Sequence, residues 1–165
     1  MALLTHPFEP VFDARSRVLI LGTFPSPRSR AAGFYYGNPQ NVFWKTLAEV
    51  LGETEPEADI AARKEFLLRN HVAVWDVLRS CEIDGADDNS IRNHAPNLFR
   101  PLLAASEIRA VFTTGKKATE LFNALAAGEA GMAAAYLPST SPANRARQRA
   151  PEYFEMWRAV RAALD

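Results

Sequence analysis

Two stretches of this chain concentrate side chains able to do chemistry. The first, GFYYGNPQNVFW at 33–44, sets Phe34, Tyr35 and Tyr36 beside glycines that let backbone approach a ligand closely, and follows them with Asn38 and Asn41. Aromatic faces so placed suit stacking on a flat ring; the competing role is to cap the core beneath the loop. Asn41 opens a helical pattern, so its bland role is an N-cap. The second stretch, LPSTSPANRARQ at 137–148, carries the hydroxyls of Ser139, Thr140 and Ser141, stiffening prolines at 138 and 142, and the amide of Asn144. Hydroxyls and exposed backbone N–H groups of this kind grip phosphate, and Arg145, Arg147 and Arg149 follow at once.

Other chemistries have little support. His6, His71 and His94 show no metal-ligand spacing, and Cys81, the single cysteine, excludes an intramolecular disulfide and any four-cysteine centre. Catalysis is therefore expected to proceed without a protein-bound metal of these common kinds. Nineteen basic residues balance nineteen acidic ones, so net charge gives no signature of a nucleic-acid binder. Distribution is more informative: acids gather at 52–59 and 81–88, whereas Arg28, Arg30 and the arginines after residue 144 flank the two stretches.

The elements that must position these groups are legible as alternation. RVLILG (17–22), HVAVWDVL (71–78), IRAVFTTG (108–115) and AAAYLPS (133–139) read as strands buried on both faces. Helical patterns run over 41–51, 60–68, 98–104, 116–125 and 151–164, the last with Pro151 in its first turn and Trp157 on its apolar stripe. Such alternation predicts a three-layer α/β/α sandwich around a central four-stranded, mainly parallel sheet. At 165 residues and 48% hydrophobic content, residues 1–165 are expected to form one domain. No apolar run reaches the roughly 20 residues of a membrane span, and the first residues lack a secretory pattern, so a cytoplasmic location is expected.

Ligands of parallel sheets bind at the carboxyl ends of the strands. That rule brings GTFPSP (22–27), Asp76 and PSTSPAN (138–144) to one edge. The span from Gly22 to Asn41 greatly exceeds the usual 2 to 6 residues of a strand-to-helix link, which marks it as functional. Asp76 is a candidate general base or base-edge reader, with helix capping or a salt bridge as the alternative. Asp84, Asp87 and Asp88 offer further carboxylates in an expected loop, with a weaker claim than Asp76, and His94 reads as structural.

In this order and spacing, LGTFPSP (21–27), YYGNPQNVFW (35–44) and LPSTSPAN (137–144) resemble the motifs of the uracil-DNA glycosylase superfamily, in particular its hypoxanthine-DNA (deoxyinosine) glycosylase branch. The resemblance covers roughly residues 17 to 160 and implies a uracil-DNA glycosylase-like fold. One departure matters: mismatch-specific uracil glycosylases, which NPQNVFW also resembles, carry a catalytic asparagine where this chain has Phe24. In the deoxyinosine branch the water-positioning role falls to the position of Asn41.

The resemblance further implies that Thr23, Phe24, Pro25, Ser26, Tyr35 and Tyr36 hold a flipped base. Backbone amides of 23–26 would serve as donors, and Phe24 or Tyr36 as a stacking wall. Ser139, Thr140, Ser141, Pro142, Ala143 and Asn144 would pinch the DNA backbone. Residues 143 to 147 would fill the vacated stack, with Arg145 and Arg147 on phosphate or groove unless they are merely solvated. The implied enzyme is a monomeric, monofunctional DNA glycosylase acting without metal or other cofactor on DNA containing a deaminated base. The choice among hypoxanthine, uracil and xanthine stays open at this point. So do two other classes, a noncatalytic nucleic-acid-binding α/β domain and a protein-interaction module.

Overall fold

Short runs of branched apolar residues flanked by turn formers have few alternatives to a buried strand, and four such runs build the central sheet. The computed structural model describes residues 2–165. The first half of the chain holds β1 (Leu3–Thr5), β2 (Val18–Gly22), α1 (Pro27–Ala32), α2 (Phe43–Leu51), α3 (Ile60–Arg69), β3 (Val72–Asp76), β4 (Leu78–Asp84) and β5 (Asp87–Pro96). The second half holds α4 (Arg100–Ala104), β6 (Ala110–Thr114), α5 (Lys116–Leu121), a π-helical turn at Phe122–Ala126, α6 (Ala127–Ala130) and β7 (Ala134–Leu137). Two 3-10 turns, Pro142–Asn144 and Arg147–Arg149, then lead into α7 (Pro151–Leu164).

The strands β3-β2-β6-β7 form an all-parallel sheet. Its register aligns Ile20 with Val74 and Phe112, so side chains of one parity share a face. Val18, Ile20, Val72, Val74 and Phe112 pack with Phe43, Trp44, Phe66 and Trp157 of α2, α3 and α7. Leu19, Leu21, Ala73 and Val111 point the other way, toward Leu102 of α4, Leu121 of α5 and Phe122. The expected three layers are therefore present. A buried hydrogen bond of 2.8 Å between Thr46 and Tyr153 joins α2 to α7 within the first layer.

Two features depart from the expectation. Residues 81–88 are not a simple loop: β1, β4 and β5 form a second, antiparallel sheet that packs Cys81, Ile83 and Ile91 onto the face holding α4 and α5. Register shifts interrupt the β4–β5 pairing, and among β5 residues only Ile91 is buried, so neither strand shows a clean alternation. The long segment after β2 also contains a helix of its own, α1. The Ser26 hydroxyl accepts from Ser29 N–H at 3.2 Å to cap it, and Pro27 occupies its first turn.

Candidate active site

The parallel register sets Gly22 beside Asp76 and ends β6 at Thr114, so three strand ends open onto the same space. That space is a pocket of about 350 Å³, within the range of small-molecule sites. Thr23, Phe24, Pro25, Ser26, Tyr35, Tyr36, Asn41, Asp76, Ser139, Thr140, Ser141, Pro142 and Ala143 all line it. Asn144, Arg145 and Arg147 lie beyond it, on the adjacent turns.

Absence of a side chain at Gly22 makes this convergence possible. A Cβ there would stand 2.6 Å from Asp76 Oδ1, a separation that real side chains do not tolerate, and a tight 3.3 Å from the Tyr36 hydroxyl. Asp76 is buried. Its Oδ2 contacts His6 Nε2 at 2.7 Å, and its backbone oxygen accepts from the Asn97 amide at 2.9 Å. Its Oδ1 has no protein partner among the described residues and faces the pocket.

The aromatic run divides its labour. Tyr35 is almost wholly buried, and its hydroxyl donates to Glu9 O at 2.8 Å, which makes it core as well as pocket wall. Tyr36 adopts a left-handed backbone (φ 52°), and one face of its ring stacks on Phe43 at 3.8 Å between centroids. Trp44 Nε1 donates to its carbonyl at 3.3 Å, holding the turn. The Tyr36 hydroxyl is buried with no hydrogen-bond partner among the described residues. Burial first, and the nearby Asp76 second, raise the pKa of both tyrosines above the ordinary value.

Asn41 is half-buried in the wall of the pocket. Its side-chain oxygen accepts from Phe43 N–H at 2.9 Å, steadying the start of α2, and its own N–H donates to Asn38 O at 2.9 Å. The Nδ2 donors make no protein hydrogen bond among the described residues. Val42 N–H donates to Thr140 O at 3.1 Å, tying the two loops together beside the pocket residues Asn41 and Thr140.

The second loop is built from its own polar groups. Ser139 O accepts from the amides of Asn144 (2.9 Å) and Gln148 (3.1 Å), and Gln148 also reaches Ser141 O at 2.9 Å. Ser141 Oγ accepts from Ala143 N–H at 3.2 Å. From beneath, the Trp157 indole donates to Pro138 O at 3.1 Å. Arg145 and Arg147 are exposed, and neither is paired with a carboxylate among the described residues.

Several contributors escape a reading of local sequence. His6 meets Asp76 from 70 positions away, and no local pattern points to it. Ile83 and Ala86 enter the pocket wall from the β4–β5 hairpin, together with Asp88, one of the carboxylates expected from that stretch. Although Asp88 is exposed as a residue, the protein around its carboxylate displaces enough water to raise its pKa. The Thr23 hydroxyl, which donates to it at 3.4 Å, and Lys117 oppose that rise. Gln148 was legible only as a member of its loop.

Comparison with known proteins follows the same outline. A family model described as the uracil DNA glycosylase superfamily matches residues 9–164. A hypoxanthine DNA glycosylase of Methanosarcina barkeri is 35% identical over 139 residues, covering 84% of this chain and 87% of its own length. One of the same name from Methanosarcina acetivorans is 31% identical over 159 residues, covering 96% and 98%. A solution NMR structure from Methanosarcina acetivorans, provisionally described as a uracil DNA glycosylase, superposes with a TM-score of 0.80 at 30% identity. That match covers 99% of each chain.

The Gly22 contact makes a prediction independent of substrate. Gly22→Ala must displace Asp76 from His6 or push β2 from its register, and is expected to lower stability by about 1–3 kcal/mol in urea denaturation. An unchanged midpoint would mean that the carboxylate swings aside freely.

Proposed function

The chain belongs to the uracil DNA glycosylase superfamily, and from that footing we propose that it is a monofunctional DNA glycosylase that opens base excision repair. Its substrate in this reading is DNA carrying a deaminated base, hypoxanthine foremost, which it flips out and hydrolyses from the sugar. It acts in the cytoplasm as a monomer and without a cofactor. The observation that carries the reading is the junction of both loops around one pocket, fastened by the Val42–Thr140 hydrogen bond.

A base within a duplex cannot be reached, so it must be extruded at a cost of a few kcal/mol, least for mispaired bases. Deaminated bases mispair, which favours them before any contact in the pocket forms. Ser139 to Ala143 then hold the DNA backbone at the pocket mouth, while Arg145 and Arg147 meet phosphate or groove. Their exposure and freedom from carboxylate partners support that role.

Hydrolysis breaks the bond between sugar carbon and base nitrogen, and the bonding electrons leave with the base. Positive oxocarbenium character develops on the sugar. The water that captures it needs placement more than deprotonation. Asn41 supplies placement: one oxygen lone pair is committed to Phe43 N–H, which fixes the amide, and the remaining amide groups are left for the water. The backbone N–H groups of Thr23, Phe24 and Ser26, residues of the pocket wall, are the donors for charge developing on the departing base. The water loses its proton to solvent or to an acceptor in the pocket, and the base takes one up.

Labelled duplexes containing hypoxanthine, uracil, xanthine or a normal base, treated with alkali after incubation, test the reading. Strand breaks are expected at deaminated bases, hypoxanthine first; none at any of them would remove it. Asn41→Ser preserves a capping oxygen but cannot reach as far, so stability should hold while single-turnover excision falls about a hundredfold. Near wild-type rates would take the water from Asn41. Arg145→Ala should weaken DNA binding for all sequences alike and reduce the salt slope by about one; unaltered binding across a salt series would leave Arg145 solvated.

A further inference from the structure

The contact between His6 and Asp76 is the one carboxylate pairing in which both side chains are buried among the described residues, at 3% and 6% exposure. His6 sits at the end of β1 with Phe8, Phe24 and Tyr35 around its ring at centroid distances of 5.7, 5.8 and 5.9 Å. Its Nδ1 lies 3.0 Å from Phe8 O and 3.2 Å from Phe8 N, so both ring nitrogens are engaged. A carboxylate can only accept, so the 2.7 Å contact places a proton on His6 Nε2. Burying such a pair is costly unless its geometry is used. The arrangement would tie down one carboxylate oxygen in any structural role, yet here the other oxygen faces a pocket rather than a protein donor.

An acceptor at that position has chemical meaning for deaminated bases. Adenine presents a bare ring nitrogen, N1, on its pairing edge, and cytosine presents N3. Deamination turns each into a ring N–H beside a carbonyl. A flipped base is read along this edge, and a fixed carboxylate oxygen accepts from the new N–H while repelling the lone pair of the parent. Guanine and thymine, which carry a ring N–H normally, must be refused by pocket shape and by their stable pairing.

Building on the glycosylase reading, we propose that His6 is a specificity-determining positioning residue. Its Nε2–H holds Asp76 Oδ2, so that Oδ1 is presented to the pocket as the acceptor for the ring N–H that deamination creates.

The test compares single-turnover excision of hypoxanthine with that of unsubstituted purine, which lacks both the ring N–H and the carbonyl. Wild type, His6→Leu and His6→Gln are assayed, with melting temperature recorded for each. His6→Leu frees the carboxylate to turn and is expected to lose hypoxanthine excision roughly tenfold or more beyond any loss on purine. His6→Gln, which retains an N–H of similar reach, should restore most of the difference. Should His6→Leu fail to fold, Asp76→Ala removes the acceptor itself and is expected to give the same selective loss. Equal losses on both bases, tracking melting temperature, would reduce His6 to a structural tie and overturn the proposal. Wild type inactive on every deaminated base would instead remove the glycosylase reading, and the proposal with it.

Discussion

Everything at the pocket depends on an empty position at the end of the central strand. Gly22 pairs with Asp76 across the sheet and leaves room for the carboxylate where a methyl group would collide with it and crowd the Tyr36 hydroxyl. The parallel register supplies the alignment, since a shift by one residue would turn Asp76 to the opposite face and bring an apolar side chain in its place. Registry in turn rests on the two cores, in which Ile20 and Leu21 pack to opposite sides of the sheet. Packing that knows nothing of a substrate thus fixes the position of an oxygen atom in the site.

Around that fixed point both loops are braced by contacts of their own. The first is held by the stack of Tyr36 on Phe43 and by the Trp44 hydrogen bond to its backbone. The second spends its amides and hydroxyls on its own carbonyls and N–H groups and rests on the Trp157 indole. Polar side chains assigned to a ligand from sequence can therefore be partly occupied already: the Nδ2 of Asn144 is bound to Ser139 O. In Asn41 the committed end is the oxygen, which leaves its Nδ2 donors without a protein partner among the described residues.

The central sheet was legible because VLILG, VAVWD and AVFTT are apolar on both faces and have no other stable setting. The pocket edge followed from the rule for parallel sheets, and the loops from composition and family resemblance. The antiparallel sheet was not legible, because β5 buries only Ile91 of its own length and bulges break the period of β4. His6 was invisible for a different reason: its role arises wholly from a tertiary contact, and a lone histidine near a proline carries no periodic signal. Tyr36 was read as a stacking face, and one side of its ring is already taken by Phe43.

The pocket is assembled from the segment between Gly22 and Asn41, Asp76 with His6 behind it, Ile83, Ala86 and Asp88, Thr114 and the turn at Ser139 to Ala143, which together span most of the chain. No short fragment contains it, and local unfolding of any contributor dissolves it. Occupancy of the pocket is accordingly linked to the global folding equilibrium: a ligand present at a hundred times its dissociation constant raises stability by about 2.7 kcal/mol. For this architecture the rise in unfolding free energy on adding a ligand therefore reads out the ligand's affinity for the assembled pocket.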